Sequence, residues 1–150
     1  MDRPLICVVD ANVAIKLAIQ QEFSDRADSL FQYLAETAEA RFYVPDFFYA
    51  ECTSTLTLYV RHHRHPAEKA RRDLADLEAL ALAIVPTVDL IQDALEIALA
   101  HGVSGYDAIY VALSEQIGGP LVTADGGLVR ALAGKGFQLL HLSELEPDLK

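Results

Sequence analysis

Hydrophobic positions along this chain follow two alternating rhythms. Short apolar runs rich in β-branched residues recur at residues 5–9, 41–45, 83–86, 121–123 and 137–140, each bounded by turn-forming or capping residues. Runs of that length read as strands buried on both faces, as in the middle of a parallel sheet. Between them, apolar residues return at helical spacing. Ala27, Leu30, Phe31, Leu34, Ala35 and Ala38 form one stripe of a helix over 23–38. Further helices are predicted over 11–18, 47–61, 67–82, 88–101, 104–116 and 128–133. Asp46 is expected to cap the helix over 47–61, Gly102 to end that over 88–101 and Gly118-Gly119-Pro120 to stop that over 104–116. One helical turn and a frayed end should follow Ser143. Strands separated by helices predict an α/β fold, a parallel sheet of about five strands covered on both faces.

Composition narrows the class. The chain has 150 residues, 52% of them hydrophobic, which suits one ordered domain with a substantial core. The expectation is a single domain over 1–150, cytoplasmic, with no signal peptide at Met1-Asp2-Arg3-Pro4 and no membrane span. Cys7 and Cys52 fall in apolar segments and read as core thiols. A net charge of −10 argues against indiscriminate binding to nucleic acid, and suits a basic partner or a local basic face.

Candidate chemistry lies in four carboxylates. Asp10 follows the first strand and Asp125 the fourth, so if those strands are neighbours both face the crevice beyond the sheet's carboxyl edge. Each could equally be a helix N-cap. Asp107 follows Ser104 at capping-box spacing. Glu51 is the only charged residue between Phe47 and Val60, so partial burial and a partner are expected of it. No cation stands among the four. Crowded carboxylates raise one another's pKa unless a cation relieves them, and hard oxygen donors select Mg²⁺ or Mn²⁺. Asn12 and Thr123 could orient the carboxylates, or be ordinary turn residues.

Val9-Asp10-Ala11-Asn12-Val13-Ala14-Ile15-Lys16, Pro45-Asp46 through Glu51, Tyr106-Asp107-Ala108-Ile109-Tyr110-Val111-Ala112-Leu113 and Leu121-Val122-Thr123-Ala124-Asp125 resemble, in order and spacing, the motifs of PIN-domain nucleases, above all the VapC-type ribonuclease toxins of toxin–antitoxin pairs. The resemblance covers essentially the whole chain. It implies a three-layer α/β/α domain with the first and fourth strands adjacent. It implies a catalytic, metal-binding role for Asp10, Glu51, Asp107 and Asp125, supported by Asn12 and Thr123. It also implies Mg²⁺-dependent cleavage of single-stranded or structured RNA, a homodimer and a cognate antitoxin. Two departures stand out: Gly126-Gly127 where the family often carries a basic residue, and Leu17-Ala18 in place of a tryptophan.

Arg61, Arg64, Lys69, Arg71 and Arg72 gather five of the twelve Lys and Arg residues and form the candidate RNA-binding face, with a solvated helical corner as the plain alternative. His62-His63-Arg64-His65 lacks the neighbouring carboxylate a transition-metal site would need, and His101 and His141 read as structural. A haloacid-dehalogenase-type phosphohydrolase would need a second Asp where Asn12 stands, and a receiver domain a Lys after its last strand. The stronger rival is a catalytically weak or inactive PIN fold that binds RNA or protein.

Overall fold

The computed structural model describes residues 3–146. Five strands, β1 (Ile6–Val9), β2 (Arg41–Pro45), β3 (Leu82–Val85), β4 (Leu121–Thr123) and β5 (Leu139–His141), form one parallel sheet in the order β3-β2-β1-β4-β5. The chain winds outward from β1 through β2 to β3, then returns to the other side of β1 for β4 and β5. The reversal between β1 and β4 is the switch point at which open α/β sheets leave a crevice.

Seven helices connect and cover the strands: α1 (Ala11–Ala14), α2 (Ser24–Glu36), α3 (Phe48–His62), α4 (Ala67–Glu78), α5 (Ile91–His101), α6 (Gly105–Ile117) and α7 (Gly126–Leu132). The strand residues alternate between two cores. Cys7, Val9, Phe42, Val44 and Val122 pack on one side with Leu30 and Phe31 of α2 and Phe48 and Cys52 of α3. Val8 and Leu121 face the opposite layer of α5, α6 and α7, with Ile97, Ile109, Leu113 and Leu132. This is the three-layer α/β/α sandwich that buried β-runs require. Both cysteine thiols are free and buried, and burial pushes that of Cys52 up to about 12. Among the described residues no helix is long and apolar enough to cross a membrane.

Several predicted boundaries move for identifiable reasons. The first helix continues past Ala14 only as a 3₁₀ turn, Ile15–Leu17. The fourth stops at Glu78, because Leu82 pairs with Phe42 at the start of β3. A separate 3₁₀ turn, Thr87–Asp89, precedes α5. The last strand shifts to Leu139–His141, in register with Leu121–Thr123. Asp46 does not cap α3. Its carboxylate instead accepts from the backbone N–H and the hydroxyl of Thr87, tying the end of β2 to the segment after β3. A 3₁₀ turn, Leu142–Glu144, fulfils the turn expected near Ser143, and residues 147–150 lie outside the described residues.

The Gly118-Gly119-Pro120 stop aligns β4 with β1. Gly118 closes α6 at φ +67°, a left-handed conformation that glycine adopts without strain. A Cβ on Gly119 would stand 2.4 Å from the Ile6 carbonyl oxygen, so only glycine lets β4 enter this close to β1. Gly119→Ala is expected to lower stability by about 1–3 kcal/mol in urea unfolding. Gly105→Ala, where a Cβ meets nothing within 4 Å, should leave it unchanged or slightly higher.

Candidate active site

Asp10 ends β1 as a buried carboxylate, 6% exposed. As N-cap of α1 it accepts from the Asn12 backbone N–H at 3.4 Å, and its other oxygen accepts the Thr123 hydroxyl at 2.9 Å. Thr123, wholly buried at the end of β4, is the hub of the switch point. Its Oγ1 also accepts from the Asn12 side-chain amide at 3.3 Å and from the Asp125 N–H at 3.1 Å. Asn12 Oδ1 in turn accepts from the Ala124 N–H at 3.0 Å. Asp125 caps α7 by accepting from Leu128 N–H at 3.1 Å. Both carboxylates that start these helices are thus tied to one hydroxyl at the sheet's carboxyl edge, Asp10 through its side chain and Asp125 through its backbone N–H.

Glu51 comes from α3, on the side opposite β4. It is half-buried, and its partner is neutral: the Tyr110 hydroxyl of α6 donates to Glu51 Oε1 at 2.6 Å. Tyr110 Oη also accepts from the Ala11 N–H at 3.3 Å, so one phenol joins α1, α3 and α6. Asp107 sits one helical turn before it, in the first turn of α6, where Ser104 Oγ accepts the Asp107 N–H at 3.1 Å.

Asp10, Glu51 and Asp107 line one open cleft of about 410 Å³, together with Asn12, Lys16, Gln21 and Tyr59. Asp125 does not line it, and its charge is felt through Asp107. Among the described residues no ion pair reaches any of the four carboxylates. Burial raises the Asp10 carboxyl to about 7, against the Thr123 and Asn12 hydrogen bonds, with the Glu51 and Asp107 charges adding to the rise. Glu51 is pushed up by burial and by Asp107, against the Tyr110 hydrogen bond. Asp107 is pushed up by burial and by Asp125, against Ser104. All four acids thus belong to one electrostatic group. The donor set is all oxygen and lacks a cation, the chemistry of a hard divalent ion's ligands. Among the described residues no three His, Cys, Asp or Glu side chains stand close enough together, as placed here, to hold a metal ion.

The basic stretch divides. Lys69 donates to Asp73 at 2.9 Å and to the Ala18 carbonyl at 3.0 Å, and His65 Nε2 lies 2.7 Å from Asp73. Lys69 therefore fastens α4 to the segment after α1. Arg71 pairs with Glu68 within α4. Arg61 and Arg71 flank an apolar groove between α3 and α4, floored by Leu56, Val60 and Leu74. His141 lies within hydrogen-bonding distance of Ser143 and the Ala124 carbonyl, and His101 packs edge-on against Phe137. At Gly126-Gly127 the space a side chain would fill is taken by the Arg130 guanidinium, 3.0 Å from where a Gly126 Cβ would stand. Sequence reasoning missed the Tyr110 link and Lys16, Gln21 and Tyr59 as cleft residues, since none belongs to a charged cluster.

A raised Asp10 pKa means that between pH 4 and 7 the folded chain holds a proton that the unfolded chain has released. Its contribution to stability is present below pH 4 and is lost as pH rises through about 7. In divalent-free buffer Asp10→Asn should therefore be the more stable form at pH 7.5, by about 2–4 kcal/mol. The difference should shrink toward pH 4 in urea unfolding at the two pH values.

The PIN domain family model matches residues 7–133. The chain is 32% identical over 120 residues to ribonuclease VapC3 of Pyrobaculum aerophilum, covering 79% of this chain and 88% of that one. Among solved structures it is similar to Mycobacterium tuberculosis VapC20, described as a sarcin-ricin loop cleaving toxin, with a TM-score of 0.65 at 20% identity over 94% of this chain and 99% of that chain. It is also similar to a chain of a toxin–antitoxin complex from Klebsiella pneumoniae, with a TM-score of 0.60 at 16% identity over 93% and 99%. A cleft lined by Asp10, Glu51 and Asp107 at the β1–β4 switch point and a family match over residues 7–133 lead to one assignment: the chain belongs to the PIN-domain family, among its VapC members.

Proposed function

We propose that this protein is a divalent-metal-dependent endoribonuclease, the toxin of a VapBC-type pair, acting on single-stranded or structured RNA. The observation that carries this reading is the set of Asp10, Glu51 and Asp107 carboxylates, none of them ion-paired, in one solvent-open cleft, with the Asp125 charge felt at Asp107. Asp10, Asp107 and Asp125 would hold Mg²⁺ or Mn²⁺, with Glu51 as a further ligand or a base acting through water. A bound ion of this kind supplies charge neutralisation for a phosphodiester and a water of lowered pKa.

The chain's own residues then have defined tasks. Thr123 and Asn12 fix the orientation of Asp10 and the backbone around Asp125. Tyr110 holds Glu51 by a neutral donor, which leaves its charge available. In this reading water attacks the phosphodiester directly, and no side-chain nucleophile is required.

Partners follow from two surfaces. The α3–α4 groove, apolar at its floor with Arg61 and Arg71 at its rim, suits an amphipathic antitoxin segment bearing acidic residues better than it suits RNA. Arg64 and Arg72 extend that basic rim along the chain. The α5–α6 face exposes Val88 (69%), Ile91, Leu95, Leu99 (73%) and Tyr106 (68%). A concentration of apolar side chains on so acidic a molecule is suited to pairing with a second copy.

Cleavage of single-stranded RNA with Mg²⁺ or Mn²⁺ should vanish with EDTA and fall at least about a hundredfold in Asp10→Asn. A folded Asp10→Asn protein that cleaves as fast as wild type contradicts the assignment. Leu95→Glu with Leu99→Glu should turn a dimer into a monomer in light scattering.

A further inference from the structure

The cleft has two walls of opposite hydrogen-bonding character. One is the carboxylate group, made of acceptors. The other is formed by Lys16, Gln21 and Tyr59, from the turn after α1, the segment before α2, and α3. These three are tied in series: Lys16 Nζ donates to Gln21 Oε1 at 3.1 Å, and Gln21 Nε2 donates to Tyr59 Oη at 2.5 Å. The Gln21 backbone is itself held, because its N–H donates to Ser24 Oγ at 2.9 Å and that buried hydroxyl donates to the Ile19 carbonyl.

An ammonium carries three donors, a primary amide two and a phenol one. The series uses one from Lys16 and one from Gln21, and it occupies one of the two lone pairs of the amide oxygen. Among the described residues the remaining donors of Lys16 and Gln21, and the Tyr59 O–H, meet no acceptor in a hydrogen bond. Lys16 shares the cleft with Asp10, Glu51 and Asp107 and forms no ion pair with them; the carboxylate whose charge acts on it is Glu22, outside the cleft lining. Gln21 holds its ammonium aside. A wall rich in free donors, one of them a full positive charge, is complementary to a group that offers only anionic acceptors.

We propose that Lys16, Gln21 and Tyr59 form a subsite for a backbone phosphate of the RNA strand, adjacent to the phosphodiester being cut. The inference rests on the nuclease reading above and adds what that reading lacks. Carboxylates repel a polyanion, and Lys69 of the basic stretch is committed to Asp73. The Lys16 wall supplies attraction inside the cleft itself. Because it contacts phosphate and not base edges, it fixes where the strand lies without selecting its sequence.

The test is steady-state cleavage of a single-stranded RNA oligonucleotide by the full chain with Mn²⁺, at several salt concentrations. Lys16→Met should raise KM about tenfold while kcat stays within about threefold, and should make kcat/KM less sensitive to salt by about 0.7 in the log–log slope, one phosphate's share for a single strand. Lys16→Arg should restore much of the KM, and Gln21→Leu should raise KM by a smaller factor at unchanged salt slope. Thermal unfolding of each variant separates these effects from misfolding. Unchanged KM and salt slope in folded Lys16→Met, with wild type cleaving normally, overturns the subsite. Failure of the wild-type chain to cleave any RNA with Mg²⁺ or Mn²⁺ overturns the nuclease reading and the subsite with it.

Discussion

Burial of carboxylates at the end of a parallel sheet, with their mutual repulsion added to it, is the constraint around which this molecule is built. A buried, unpaired Asp10 is costly, and Glu51 and Asp107 make it costlier. The fold answers with neutral donors where an arginine or lysine would stabilise more. The Thr123 hydroxyl and the Asn12 backbone N–H hold Asp10, and the Tyr110 phenol holds Glu51. Such donors orient a carboxylate without cancelling its charge, so the pocket remains available to a cation from solution. Sites that perform chemistry commonly carry destabilisation of this kind, offset by packing elsewhere. Here the offset comes from two buried layers that clamp β1 between β2 and β4.

Much of this was legible in the chain because it is local. The uninterrupted apolar runs at Cys7-Val8-Val9 and Leu121-Val122 announce strands buried on both faces, and the helical stripe from Ala27 to Leu34 announces the helix beside them. Gly102 and Gly118 end helices where their positive φ angles require. The adjacency of β1 and β4, on which convergence of Asp10 and Asp125 depends, followed from the resemblance and was met by the sheet order. The unpartnered look of Glu51 also had a physical basis: no basic residue lies within a helical turn, and the partner proved to be a phenol 59 positions away.

What stayed hidden depends on side chains meeting across the fold. Asp46 reads as a cap because an aspartate before a helix usually is one, yet Thr87 competes for it from the far end of β3. Lys69 reads as part of a basic run, and only the packing of α4 against the turn after α1 reveals its commitment to Asp73 and the Ala18 carbonyl. The exposed apolar face of α5 and α6 is invisible to periodicity, since the same spacing describes a helix buried on that side. Arg130 folding over Gly126-Gly127 shows how a missing side chain can be replaced from the next helical turn, a substitution that motif spacing does not register.

The central claim is that the cleft's charge is held in readiness for a divalent cation. Thermal unfolding of the wild-type protein at pH 7.5 during a Mn²⁺ titration, at constant ionic strength, tests it most directly. A ligand that binds only the folded state stabilises it by RT ln(1 + L/Kd), with L the free ligand concentration, so the melting temperature climbs with the logarithm of that concentration above Kd. Such a logarithmic rise with Mn²⁺ is expected, and Asp10→Asn should abolish it. A melting temperature that stays flat into the millimolar range, or a rise that Asp10→Asn shares in full, would contradict it.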